Sequence, residues 1–277
     1  MPGTRQFAEY ARPRNRIDMV PFTKASACGN DFLIIEGLDA PPDLREFTQR
    51  ICDRHNGVGA DGVEWLFPAA DADKRVRLIN ADGGEAEISG NGTRCVAAHM
   101  VANGHPGKLA IRTGAGIKHC QLMARDGNSF EFEMDMGEPQ VGDDFSIKVA
   151  FGEAHGTPVS MGNPHYVVFM KEFPLAWQAE AAEIGRHHDF KHGINVEFAR
   201  VKSNNDIEIR LYERGVGETQ SSGTGSCAAA VAAIAAGRAN SPVSVHAPGG
   251  TQVVRWPGGN VFLRGPAQLL CRGEFFG

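Results

Sequence analysis

Apolar positions along this chain come in short bursts separated by turn-forming clusters. Pro21–Lys24, Phe32–Glu36, Val76–Ile79, Thr157–Met161, Tyr166–Met170 and Asp206–Tyr212 are each rich in β-branched and aromatic residues and short enough to be strands. Two segments carry a helical signal with defined ends. One runs from about Asn91 to Ala102 and stops at Asn103-Gly104; the other runs from about Thr224 to Ala236 and stops at Gly237. Strands outnumber helices, which predicts an α+β fold with a mostly antiparallel sheet wrapped around one central helix.

The pattern occurs twice. Gly29-Asn30 recurs 133 residues later as Gly162-Asn163, and Ser89-Gly90 recurs at the same offset as Ser222-Gly223. The same shift carries Val63-Glu64 onto Val196-Glu197, Arg77-Leu78 onto Arg210-Leu211, Glu85 onto Glu218 and Gly92 onto Gly225. This predicts two pseudo-symmetric domains of ordinary size. Their expected extents are 19–134 and 135–265, with the joint near Gly137-Glu138-Pro139 and the last residues, 266–277, returning to the first half. Residues 1–18 carry Arg5, Arg12, Arg14 and Arg16 and few apolar side chains. They are expected to be an extension ahead of a folded chain that starts near Met19, with a disordered tail, an early start codon and a transit peptide all left open.

Composition narrows the function. The net charge of −5 argues against a nucleic-acid surface. No apolar run approaches the ~18–20 residues of a membrane helix, and the N-terminus lacks a secretory core segment. Cys28, Cys52, Cys95, Cys120, Cys227 and Cys271 show neither CxxC pairing nor zinc-ligand spacing, so they are expected to be reduced thiols in a cytoplasmic protein. His187-His188 and His192 invite a metal reading, but adjacent histidines on a helix would point apart, and no metal site is expected. No GxGxxG motif follows a strand and no P-loop is present, so neither nucleotide nor pyridoxal phosphate is implied.

The turns Ser89-Gly90-Asn91-Gly92-Thr93 and Ser222-Gly223-Thr224-Gly225-Ser226 each open a helix. Glycine lets backbone approach a ligand, and a helix start offers unpaired N–H groups and partial positive charge. Two such ends related by pseudo-symmetry would clamp one small anion, such as a carboxylate. Ordinary capping by Asn91, Thr93, Thr224 and Ser226 explains one turn, but not the matched Gly-x-Gly in both.

These motifs carry a family resemblance. Phe22-Thr23-Lys24 with Gly29-Asn30-Asp31-Phe32, Arg77–Asn80 with Asp82-Gly83, and Ser89 through Cys95 resemble the diaminopimelate epimerase family. So do Gly162-Asn163-Pro164-His165, Asn195-Val196-Glu197-Phe198 and Glu213 through Thr219 leading into Ser222-Gly223-Thr224-Gly225. The resemblance spans Met19 to the C-terminus, with the motifs in the family's order. It implies a cofactor-independent isomerase, often dimeric, that interconverts LL- and meso-2,6-diaminopimelate in lysine and peptidoglycan-precursor synthesis. One base removes the α-proton from one face, and a second group returns a proton to the other.

The resemblance puts the two bases, cysteines in the family, on Ser89 and Ser222. A thiol ionises near pH 8.5 and a helix end tunes it lower; a hydroxyl is a far weaker acid, and each pKa unit of mismatch costs ~1.4 kcal/mol. Cys95 and Cys227 lie roughly 7–9 Å further along their helices and cannot substitute. Three accounts fit the serines. Both cysteines were replaced deliberately, or a natural enzyme has a slower or altered activity with His165 or Glu213 as the true base, or the protein binds its ligand without chemistry. A hydroxy-amino-acid lyase on the same scaffold is a fourth possibility. By resemblance, Asn30, Asn80, Asn91, Asn163 and Asn195 contact the substrate, Gly90, Gly223 and Thr224 supply helix-end groups, and Arg214 pairs the distal carboxylate. His165 and Glu213 sit beside the bases, with Glu213 also a substrate contact. Where some members place a glutamine ligand this chain has Gly62, which receives no role.

Overall fold

The computed structural model describes residues 19–39 and 41–276; the expected extension over 1–18 lies outside them. The first half runs β1 (Met19–Ala27), β2 (Asn30–Glu36), α1 (Leu44–Cys52), β3 (Gly62–Phe67), β4 (Lys74–Asn80), β5 (Glu85–Ala86), α2 (Gly90–Ala102), β6 (Lys108–Thr113), β7 (Gly116–Asp126) and β8 (Ser129–Asp135). Two short strands follow, β9 (Gln140–Val141) and β10 (Phe145–Val149). The order then repeats: β11 (Gly152–Ser160), β12 (Pro164–Phe169), α3 (Trp177–Gly185), β13 (Asn195–Ser203), β14 (Asp206–Glu213), β15 (Gly217–Thr219), α4 (Gly223–Ala235), β16 (Val243–Ala247), β17 (Gly250–Arg255) and β18 (Phe262–Phe276). Helices α1 and α3, and α2 and α4, begin and end at the 133-residue offset seen in the sequence.

The pairing is antiparallel except for two parallel pairs in each half, and these correspond: β2–β3 with β12–β13, and β4–β6 with β14–β16. In the first half the strands close on themselves in the order β4, β3, β2, β1, β18, β8, β7, β6 and back to β4. Closure leaves no free sheet edge in the ring.

Through this barrel runs α2, and Cys95, Val96, Ala97 and Ala98 are wholly buried. In the second half α4 is enclosed the same way, with every residue from Cys227 to Ala233 at zero exposure. A helix apolar on all sides must be surrounded, and its alanines keep it thin enough to be encircled by strands. The strand β18 pairs first with β8 and then, over Gln268–Phe276, with β1. The reciprocal contact, β9 on β11, has no forecast in the sequence reading.

That reading also supplied a single helix per half, whereas each half has a second, outer one. Asp43 caps α1 by accepting from Arg45 and Glu46 N–H, both at 3.0 Å. Phe47 and Ile51 bury its inner face, with Phe47 edge-on to Trp65 at 5.8 Å. Each such side chain contributes roughly 1.5–3 kcal/mol by leaving water. The helix α3 packs on the opposite barrel around Trp177, Ala181 and Ile184.

Candidate active site

The two central helices start at one cavity. Ser89 has extended backbone (φ −121°, ψ 122°), and its Oγ folds back to accept the Gly92 N–H at 3.0 Å. Ser222 (φ −139°, ψ 128°) accepts the Gly225 N–H at 3.2 Å. Both serines are therefore N-caps, and each cap satisfies only one of the unpaired N–H groups at its helix end. Both also line a cavity of about 470 Å³ between the barrels. Asn30, Asn80, Gly90, Asn91, Asn163, Glu213, Gly223 and Thr224 line it with them. Two helix N-termini thus direct partial positive charge into one space, an arrangement that stabilises an anion there.

The asparagines are held by a network. Asn30 donates to Asp61 Oδ2 at 3.0 Å and accepts from Asn91 at 2.8 Å. Asn91 Oδ1 in turn accepts from the guanidinium of Arg94, which is wholly buried and also donates to the Pro266 carbonyl at 3.1 Å. In the second half Asn163 donates to Thr224 Oγ1 at 3.3 Å, while its Oδ1 lies 3.0 Å from His165 Nε2. The other ring nitrogen, Nδ1, lies 2.7 Å from Glu197 Oε1.

Beneath the helix ends lies a pair of buried carboxyls. Glu64 and Glu197 occupy equivalent positions on β3 and β13, at 2% and 1% exposure. They explain why glycine stands at 92 and 225. A Cβ on Gly92 would come within 1.8 Å of Glu64 Oε1, and one on Gly225 within 2.7 Å of Glu197 Oε1.

The two carboxyls differ in company. Glu197 has His165, and burial pushes it up further than the ring pulls it back. At the position equivalent to His165 the first half has Phe32, and Glu64 Oε1 has no hydrogen-bond partner among the described residues. Burial alone pushes Glu64 up to about 8.

Three residues nominated by resemblance lie outside the cavity wall. His165 stands behind Asn163 and can act only through it as the atoms lie. Asn195 spends its amide on the Pro164 carbonyl (2.9 Å) and the Arg214 N–H (2.9 Å). The exposed Arg214 side chain donates to the His192 carbonyl at 3.2 Å and lines a neighbouring pocket. Glu213 ends β14 facing the cavity, and Arg214 stands in the turn between β14 and β15, where its side chain lies toward the neighbouring pocket.

Cys95 and Cys227 are enclosed in their helices, where burial raises both thiols. His187 and His188 follow α3 rather than lying on a helix. Their rings stand 4.2 Å apart, not pointing away from each other, and group with Asp189. The sequence reading passed over Lys118, Met134, Met136 and Met161, which also line the cavity. No local pattern marks them, because distant strands bring them there.

Comparison with known proteins gives consistent matches. A family model described as diaminopimelate epimerase matches residues 22–142 and 157–270. A diaminopimelate epimerase of Pelotomaculum thermopropionicum is 36% identical, covering 92% of this chain and 98% of that protein. One of Sphingopyxis alaskensis is 39% identical, covering 91% and 96%. Among solved structures, a phenazine biosynthesis protein of the PhzF family from Bacillus anthracis shares the fold, with TM-score 0.72 at 17% identity over 93% of this chain and 99% of that one. A hydroxyproline epimerase from Agrobacterium vitis does so at TM-score 0.68 and 17% identity, covering 93% and 92%.

Proposed function

The chain belongs to the diaminopimelate epimerase family, a family of isomerases, and from that premise we propose that its cleft binds LL- and meso-2,6-diaminopimelate. The observation that carries this is the pair of helix N-caps, Ser89 and Ser222, brought from two equivalent halves to a single cavity. In this reading the α-carboxylate lies between the helix ends, where Gly90, Asn91, Gly223 and Thr224 present backbone and side-chain donors. Charge that develops on the carboxylate as the α-proton leaves is stabilised there. Asn30, Asn80 and Asn163 offer amides to the polar groups, and Glu213 faces the substrate's ammonium. The halves that provide these walls are taken as 19–134 with 266–277, and 135–265.

Inversion needs one group to break the Cα–H bond on one face and another to deliver a proton to the opposite face. Ser89 and Ser222 stand at those two places. A hydroxyl gives up its own proton far less readily than a thiol, so Ser89 and Ser222 make the exchange slow. Of the two carboxylates in the cavity wall, Asp61 is paired with Arg54, so Glu213 is the one that can accept a proton on their behalf; His165 can only steer Asn163 and Thr224. No nucleotide or pyridoxal cofactor has a part in this scheme. The same reading places the protein in the cytoplasm, as a homodimer, in lysine and peptidoglycan-precursor synthesis. Its six free cysteines support the compartment. Among the described residues no helix is long and apolar enough to cross a membrane.

The test is hydrogen exchange in heavy water with LL- and meso-diaminopimelate. The chain should bind both and lose the α-proton signal slowly. The double variant Ser89→Cys/Ser222→Cys should raise the rate by at least about a thousandfold, since three pKa units of mismatch are worth ~4 kcal/mol. A double variant that binds yet stays inert would refute the epimerase reading. A chain that binds neither isomer would refute the substrate.

A further inference from the structure

Inversion asks for a proton partner behind each serine, and the cavity wall supplies only one. In the second half Glu213 stands in the wall, whereas its equivalent in the first half is Asn80, an amide that does not titrate. Asp61, the other carboxylate in the wall, is paired with Arg54 at 2.9 Å. One carboxylate cannot serve both faces of a carbon at once, so Ser89 has no free acid beside it in the wall.

The carboxyl that can serve Ser89 lies one layer deeper. Glu64, on β3, reaches the first turn of α2. A single point, where a Cβ on Gly92 would stand, is 1.8 Å from Glu64 Oε1 and 3.2 Å from Ser89 Cβ. Carboxyl and serine are therefore no further apart than those two lengths together, and residue 92 puts no side chain between them. Each also has a hydrogen-bonding position to spare. Ser89 Oγ accepts the Gly92 N–H at 3.0 Å, and among the described residues its own hydrogen has no acceptor. Glu64 Oε1 is buried without any partner among them. A buried polar atom left unpaired is costly, so one this close to a free hydroxyl calls for a reason. In the second half the equivalent acid is committed, with Glu197 Oε1 held by His165 Nδ1 at 2.7 Å. Ile34 and Leu78 flank Glu64 in register, and on α2 the Cys95 thiol near it is kept neutral by burial. Burial also keeps Glu64 protonated up to about pH 8, so at neutral pH it is an acid with a proton to give.

We propose that Glu64 is the proton reservoir of the first half, exchanging a proton with the substrate through the Ser89 hydroxyl. The proposal rests on the epimerase reading above and leaves Glu213 to serve Ser222. In delivery the Glu64 O–H bond breaks and its proton passes to Ser89 Oγ. The Ser89 O–H bond breaks in the same step, and that proton joins the carbanion's electron pair as the new Cα–H bond. Negative charge ends on the Glu64 carboxylate. On the opposite face Ser222 passes the abstracted proton to Glu213, and exchange with water resets both acids. Abstraction by Ser89 runs the same transfers backward.

Glu64→Gln keeps the shape of the acid and cannot exchange its proton in this way. In heavy water the variant should lose interconversion of LL- and meso-diaminopimelate by at least about 100-fold, the lower range of general acid–base catalysis. The isomer whose α-hydrogen faces Ser222 should still exchange it without inverting, while the other isomer should lose exchange as well. Ser89→Ala should give the same one-sided pattern, and combining the two substitutions should add no further loss. Parent-like thermal melts and calorimetric binding of diaminopimelate establish that fold and cleft are intact. Interconversion by Glu64→Gln at the parent rate overturns the relay and leaves the epimerase reading standing. Equal slowing of exchange from both isomers, or additive losses in the combined variant, also overturns it. An unaltered chain that exchanges neither isomer overturns both.

Discussion

Glu64 makes a quantitative prediction about stability. Its carboxyl is enclosed in the first barrel, flanked in register by Ile34 and Leu78 and covered by Gly92 of the central helix. No basic group contributes to its environment, so burial raises it from an ordinary 4.5 to about 8. In the unfolded chain the group loses its proton near pH 4.5; in the folded chain it keeps the proton until about pH 8. Between those limits the folded state binds more protons than the unfolded state, so folding stability falls as pH rises. Below the window Glu64 contributes no slope, and above it the full penalty is present. The slope approaches ~1.4 kcal/mol per pH unit, and the whole window is worth at most about 5 kcal/mol. Against a typical total of roughly 5–15 kcal/mol, that is a large share.

Glu64→Gln keeps the shape of the neutral acid and removes the titration. Urea unfolding of both proteins from pH 4.5 to 9 measures the difference. The two should be close in stability at pH 4.5. The variant should gain steadily on the parent as pH rises, leading it by several kcal/mol at pH 8.5. Parallel pH profiles would show that Glu64 ionises normally in the fold, and the argument from its burial would fail.

Two further substitutions probe the same architecture. Phe32→His supplies the partner that Glu197 already has, and should lower the Glu64 pKa and flatten the pH dependence of unfolding; an unchanged slope would mean that the two halves are not equivalent at this position. Gly92→Ala forces a methyl against the Glu64 carboxyl and should cost about 1–3 kcal/mol net of any gain in helix propensity, whereas Gly90→Ala meets nothing within 4 Å and should fold at least as stably, both read from denaturant midpoints.

Much of this was legible in the chain because duplication amplifies weak signals. A single Ser-Gly-x-Gly turn says little, but two at one offset place two helix starts under the same constraint. The structure supplies that constraint in Glu64 and Glu197, whose carboxyls leave room only for glycine. What escaped notice falls into two kinds. The helix α1 was readable from the Asp43 cap and the spacing of Leu44, Phe47 and Ile51. Lys118 was not readable in this way. On β7 it looks like any lysine on the polar face of a strand, and only barrel closure turns that face toward the cavity.

The places where the halves differ carry as much information as those where they agree. Capping serines, glycines and buried glutamates are shared, as the proposed transfer across the two faces of one carbon requires. The differences stand in or beside the same cavity: Asn80 against Glu213, Asn91 against Thr224, Phe32 against His165, and Lys118 against Gln252. A duplicated shell centred on a ligand's own symmetry element would have no use for them. A ligand whose reacting carbon lies between the helix ends, with an arm extending to one side, requires unequal walls. In the proposed scheme, symmetry follows the proton transfer and asymmetry follows the placement of the rest of the molecule to one side of the reacting carbon.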